Sequence, residues 1–217
     1  MSRERGIAIF YRARKPSIVG LDFHAKAPNQ RVGSLNSKLL KSPARICAKC
    51  NNERTQPHDR AWEQMSETLR TRGRPIRPGA FIRANRIFPY DTARKMLNVH
   101  LYFVKLFGCH VVAPDISSID TGAFADALLK GKPHPNIYLK FGCGPSFAGD
   151  KMTGMSDLHA AVRPTDGSCA FATWFYYIDG LAVNVMFATE GEKRDGLIGS
   201  WQPRRGKNRL LVADFRS

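Results

Sequence analysis

Cys47-Ala48-Lys49-Cys50 places two thiols within one turn of chain. Two thiolates at this spacing supply half of a tetrahedral zinc site, which needs four N or S ligands. The same spacing serves redox pairs, although no βαβ pattern surrounds it here, and two unrelated buried cysteines also satisfy it. Asn51 and Asn52 follow directly, and His58-Asp59 comes six residues later. At a helix start, His58-Asp59 can ligate a metal, face a phosphate or simply complement the helix dipole. Upstream, His24 stands in Phe23-His24-Ala25-Lys26-Ala27-Pro28 and could act as a base or sit in a surface loop. Arg72, Arg74, Arg77, Arg83 and Arg86 are interleaved with Phe81, Ile82, Ile87, Phe88 and Tyr90. That mixture can grip a nucleic-acid backbone and stack on its bases. It also suits a Pro-rich connection whose rings pack inward. Lys49, Arg54 and Arg60 add charge beside the cysteines, and Arg204-Arg205-Gly206-Lys207-Asn208-Arg209 is a second basic patch.

The run Ile46-Cys47-Ala48-Lys49-Cys50-Asn51-Asn52, leading into a helix, resembles the second zinc knuckle of the HNH endonuclease superfamily (ββα-metal, or His-Me finger). The resemblance covers residues 20–72. It implies a β-hairpin and helix holding a catalytic Mg or Mn ion, braced by a structural zinc. It implies His24 as general base, Asn51 or His58 in support, and Cys47 and Cys50 as zinc ligands. The chain has no cysteine before Cys47, so the first knuckle of the family has no counterpart. The resemblance then implies a truncated or degenerate member, or a zinc completed by His58, Cys109, His110, Cys143 or Cys169. The corresponding activity is metal-dependent phosphodiester hydrolysis; the alternative is a non-catalytic zinc-knuckle protein that binds DNA or RNA, or a nuclease relic.

Charge points the same way without any resemblance. The chain has 217 residues, 34 Lys+Arg against 18 Asp+Glu, and a net charge of +16. Residues 1–100 carry +14 of it and residues 101–217 only +2. A polyanion partner fits such asymmetry, and nucleic acid is the commonest. Hydrophobic residues make up 43%, which supports a packed core and excludes a wholly disordered basic tail. No apolar run reaches the length of a membrane span, and no signal-peptide core is present. Five cysteines, an odd number without a secreted spacing, fit a cytoplasmic protein with reduced or metal-bound thiols.

Several elements must position these residues. Short strands are expected at 7–11 and 17–23, and a short helix at 34–40. Trp62, Met65 and Leu69 recur at helical spacing, with Thr55 as cap and Pro57 in the first turn. A second, largely buried helix is expected from Thr92 to Gly108, and Cys109-His110 beyond it reads as a strand start. A third runs from Thr121 to Leu129 and stops at Gly131. From Asn136 the pattern turns to strands, with Asp179-Gly180 marking a hairpin between two β-rich runs and a last strand at 210–215. His100, on the buried helix, reads as a core histidine, and Cys143 and Cys169 as small buried hydrophobes. The class is α+β: a basic HNH-like zinc-knuckle segment over 1–75, then an α+β domain over 76–217, in which a helical pair precedes a C-terminal antiparallel sheet.

Overall fold

A helix α1 (Gln56–Thr71) carries Trp62, Met65 and Leu69 inward, as their spacing predicts. The structure, a computed structural model, describes residues 22–23, 30–31, 44, 46–71, 76–112, 119–144, 146–147, 150–151, 153–192, 195–204 and 207–215. The strand expected at 7–11 and the helix at 34–40 lie outside them, as does nearly all of the strand at 17–23. A π-helical turn, Cys50–Arg54, precedes α1, and the Thr55 backbone N–H donates to the Cys50 carbonyl there.

After α1 come strand β3 (Phe81–Arg83), a single turn α2 (Ala84–Ile87), and the long helices α3 (Thr92–Val112) and α4 (Thr121–Lys130). Two residue pairs, β1 (Asp22–Phe23) and β2 (Gln30–Arg31), form a small antiparallel ribbon before them. Asp120 caps α4 by accepting from the Gly122 N–H, and Gly131 ends it in the left-handed conformation at φ 59°. The helix α3 does not stop at Gly108. It runs four residues further, so Cys109 and His110 lie in its last turns rather than on a strand. Gly108 is there for packing: a methyl built on it would sit 3.3 Å from the Phe124 side chain of α4. The glycine is a notch where two helices meet.

The strands are β4 (Ile137–Cys143), β5 (Ser146–Phe147), β6 (Asp150–Lys151), β7 (Thr153–Met155), β8 (His159–Val162), β9 (Cys169–Ile178), β10 (Leu181–Ala188) and β11 (Arg209–Asp214). The main sheet runs β3-β11-β4-β10-β9-β7, with β8 also paired to β9. Asp179 and Gly180 take φ 54° and 76°, the two positive values that a type I′ hairpin requires between β9 and β10. The sheet is mixed rather than antiparallel throughout, because β11 lies parallel to β4. It is also not wholly C-terminal: β3, from the Arg-rich connection, forms its edge on β11.

Alternation along the strands separates two faces. Phe141, Val183, Val185, Trp174, Tyr176, Leu210 and Val212 point into one core with α1, α3 and α4. Trp62 of α1 meets this sheet directly, its Nε1–H donating to Tyr176 Oη at 3.2 Å. Arg70 of α1 reaches Asp179 Oδ2 at 2.7 Å at the tip of the β9–β10 hairpin. The segment boundary expected at 75/76 therefore falls between α1 and a body with which α1 shares its core. No helix among the described residues is long and apolar enough to cross a membrane.

Candidate functional site

The cysteine pair is local. The Cys50 backbone N–H donates to Cys47 Sγ at 3.2 Å, with Cys47 exposed and Cys50 half-buried. Hydrogen bonds from the Cys50 side chain, then its backbone, hold the Cys47 thiol below its usual range. The same contact, with burial, raises Cys50. A structural zinc needs four ligands, and among the described residues no group of three or more His, Cys, Asp or Glu side chains could hold a metal. The residues present thus fit only half a zinc site. Cys109, Cys143 and Cys169 are buried, the last two as the small-hydrophobe reading expects, and Cys109 lines one groove with Cys50.

Of the residues assigned to hydrolysis, Asn51 and His58 lie among the described residues. His24 directly follows β1 and lies outside the described residues. Asn51 lies in the π-helical turn, its carbonyl accepting from Thr55 Oγ1 at 3.1 Å. His58 faces α3 rather than solvent, and its Nδ1–H donates to Asn98 Oδ1 at 3.1 Å. Burial, reinforced by the Lys105 charge and opposed by the Asn98 bond, lowers its pKa to about 4.

Asp59 answers a question the sequence did not raise. Its carboxylate pairs with Lys105 Nζ at 2.7 Å, and Lys105 also donates to Thr55 Oγ1 at 3.2 Å. Lys105 is 1% exposed, so this charge sits inside the protein. The pair pins the first turn of α1 to the middle of α3. Neither the dipole reading nor the ligand reading of His58-Asp59 anticipates this, because a lysine amid Phe103, Val104, Leu106 and Phe107 gives no periodic signal. Asp59, four residues after Thr55 and three before the inward Trp62, was the available hint. Beside the pair, Cys50, Arg54, Val104, Gly108, Phe124 and Leu128 line a groove of about 290 Å³. Asp59→Ala is expected to destabilise the fold by about 3–5 kcal/mol, since it strands a buried cation. Asp59→Leu with Lys105→Met is expected to recover most of that loss, as read by urea midpoints at constant slope.

The second chemical feature is a basic edge. Arg77-Pro78-Gly79-Ala80 forms a turn closed by the Ala80 N–H on the Arg77 carbonyl, with Gly79 at φ 78°. The chain then enters β3, whose register on β11 sets Arg83 opposite Arg209, Ile82 opposite Leu210 and Phe81 opposite Leu211. Ile82 and Leu210 point into the core, so Phe81, Arg83 and Arg209 share the other face. The Ala84 N–H on the Asn208 carbonyl extends the junction into α2. Arg77, Arg83, Arg86, Arg204, Lys207 and Arg209 are all exposed. Phe81 and Tyr90 are 54% and 86% exposed. The Arg209 guanidinium lies 4.5 Å from the Phe81 ring centroid. A cavity of about 300 Å³ opens beside it, lined by Met96, Trp201, Pro203, Arg204 and Lys207 among others. The two basic segments that the sequence presents separately are thus one patch. Part of the Arg-rich connection reads from the sequence as extended or strand-like, and β3 is that part; its pairing with β11 has no local signal.

Lys49, Arg54 and Arg60 are exposed around the cysteine turn and α1, away from any ion pair among the described residues. Arg72 and Arg74 lie outside the described residues. Ile87 and Phe88 pack inward, so the Arg-rich connection is part core and part surface. Comparison with protein-family models, with curated proteins and with solved structures gives no match.

Proposed function

We propose that this protein binds nucleic acid, through the basic edge built by β3, α2 and β11. The observation that carries the reading is the β3–β11 register, which sets Arg83 directly opposite Arg209. Like charges placed opposite each other on a sheet cost stability. A fold that keeps them, exposed and beside the exposed ring of Phe81, has a surface suited to an anion that carries flat rings. Between Ile198 and Ala213 on one side and Ile76 and Tyr90 on the other, the sequence holds Arg and Lys and no Asp or Glu. The +14 charge of residues 1–100 supports the same partner.

Binding has more support than cutting. Of the residues that the HNH resemblance assigns to hydrolysis, His58 is buried against Asn98; of those it assigns to zinc, Cys47 and Cys50 lack further ligands among the described residues. The test is a fluorescence-anisotropy titration of labelled DNA and RNA over a range of salt. Log affinity is expected to fall linearly with log salt, with a slope of about −0.7 to −0.9 per phosphate contacted. Absent binding, or binding insensitive to salt, overturns the proposal.

A further inference from the structure

The face of the sheet turned away from the helices carries a row of rings, of which Tyr138 is buried with Met186 and Leu197 in a second small core while Phe175 and Tyr177 are half-buried. From β9 it presents Thr173, Phe175 and Tyr177, and from β10 Ala182, Asn184 and Met186. From β4 it presents Tyr138, Lys140 and Gly142, and from β11 Arg209, Leu211 and Ala213. The registers align these across strands: Tyr177 beside Ala182, Ala182 beside Gly142, and Gly142 beside Ala213.

Small residues therefore surround Tyr177. On its other side the register pairs it with Gly154 of β7, where an added methyl would meet nothing within 4 Å. Phe175 and Tyr177 are half-buried, stand parallel at 4° and 5.7 Å, and so form a continuous stacked surface. Phe215 extends it, lying over Gly142, where a Cβ would come within 2.6 Å of the ring, and edge-on to Phe175 at 5.2 Å. Rings on a solvent-side sheet face usually gain by being covered.

Charge on the same face says what would cover them. Lys140, Arg83 and Arg209 stand on this side, and Phe81 with them. Asp214, at the end of β11, is the one acidic residue in β3, β4, β9, β10 and β11. A protein partner would need no such absence of acid, and a duplex hides the faces of its bases in its own stack. A flexible strand of alternating anion and exposed π-face matches both features, because base stacking on aromatic side chains is tolerant of sequence and phosphates seek the flanking cations.

We infer that the outward sheet face is a platform for single-stranded nucleic acid, with unstacked bases on Phe175 and Tyr177 and phosphates on Lys140, Arg83 and Arg209. This rests on the nucleic-acid reading above and narrows it to the strand form. The test compares oligo(dT) and oligo(rU) with a duplex of equal length by anisotropy, for the wild-type chain, Tyr177→Leu and Tyr177→Phe. Single strands are expected to bind at least about tenfold tighter than duplex. Tyr177→Leu is expected to weaken single-strand binding about tenfold with an unchanged salt slope, while Tyr177→Phe, which keeps the ring, binds as wild type. The tighter of oligo(dT) and oligo(rU) identifies the sugar. Duplex bound as tightly as single strands overturns the inference and leaves nucleic-acid binding standing, as does single-strand affinity unmoved in a folded Tyr177→Leu chain. Binding to none of the three overturns both.

Discussion

Lowering the pH from neutral to about 5 is expected to unfold most of this protein, because three buried histidines, His58, His100 and His134, and the half-buried His110 are held in neutral form. Burial is the leading cause at each. It pushes His58, His110 and His134 to about 4, and His100 to about 3. The His134 charge lowers His100 further, while Asp157 and Asp120 oppose the shift at His110 and His134. The hydrogen bonds explain why proton uptake is so unwelcome. The His134 backbone N–H donates to His100 Nε2 at 3.1 Å, and the Asn136 N–H donates to His134 Nδ1 at 3.2 Å. Each acceptor nitrogen would become a donor on protonation and face another N–H.

The folded pKa values lie below the unfolded value near 6.5, so the unfolded chain binds more protons in between. Stability is therefore complete above about pH 6.5 and falls as pH drops from there towards the folded values. At pH 5 each histidine removes about 2 kcal/mol, and four together approach the 5–15 kcal/mol that a domain has. Circular dichroism against pH reads the transition. His110→Phe keeps a ring against Trp174, whose centroid lies 4.6 Å away, and removes one titrating group, so it should move the acid midpoint downward. A wild-type midpoint below pH 4 would contradict this account.

Replacing Arg83, Arg86, Lys207 and Arg209 together with glutamine is expected to weaken nucleic-acid binding by about two orders of magnitude. The salt slope should shrink by about 3–4, near one unit for each lost phosphate contact. All four side chains are exposed, so the fold should barely notice. Relief of the Arg83–Arg209 opposition should even raise the thermal midpoint slightly, less the Arg209–Phe81 contact. A variant that loses stability but keeps its affinity and slope would falsify the assignment of this edge.

Much of the frame was legible in local chemistry. Trp62, Met65 and Leu69 marked α1, Gly131 marked the end of α4, and Asp179-Gly180 announced the β9–β10 hairpin. Each of those signals lies within a few residues of what it specifies. His100 was read as a core residue and is fully buried. What stayed hidden depends on distant partners. Gly108 reads as a helix stop until Phe124 is seen above it. Lys105 looks out of place in α3 until Asp59 arrives from α1. The joining of the two basic segments needs the β3–β11 register, which no local pattern encodes. For the cysteine turn, spacing describes the two sulfurs, but ligand geometry depends on residues elsewhere, and none among those described joins them.

The strand order carries a consequence for synthesis on the ribosome. β11 sits between β3 and β4, so it closes two gaps at once, antiparallel on one side and parallel on the other. Its partners on β3 emerge more than a hundred residues earlier, as the separation of Arg83 from Arg209 shows. Until Arg209–Asp214 has left the exit tunnel, β4 has an open edge and Arg83 has no neighbour across the sheet. Pairings this remote in sequence form slowly. A nascent chain would then display its cations long before they are gathered into one surface.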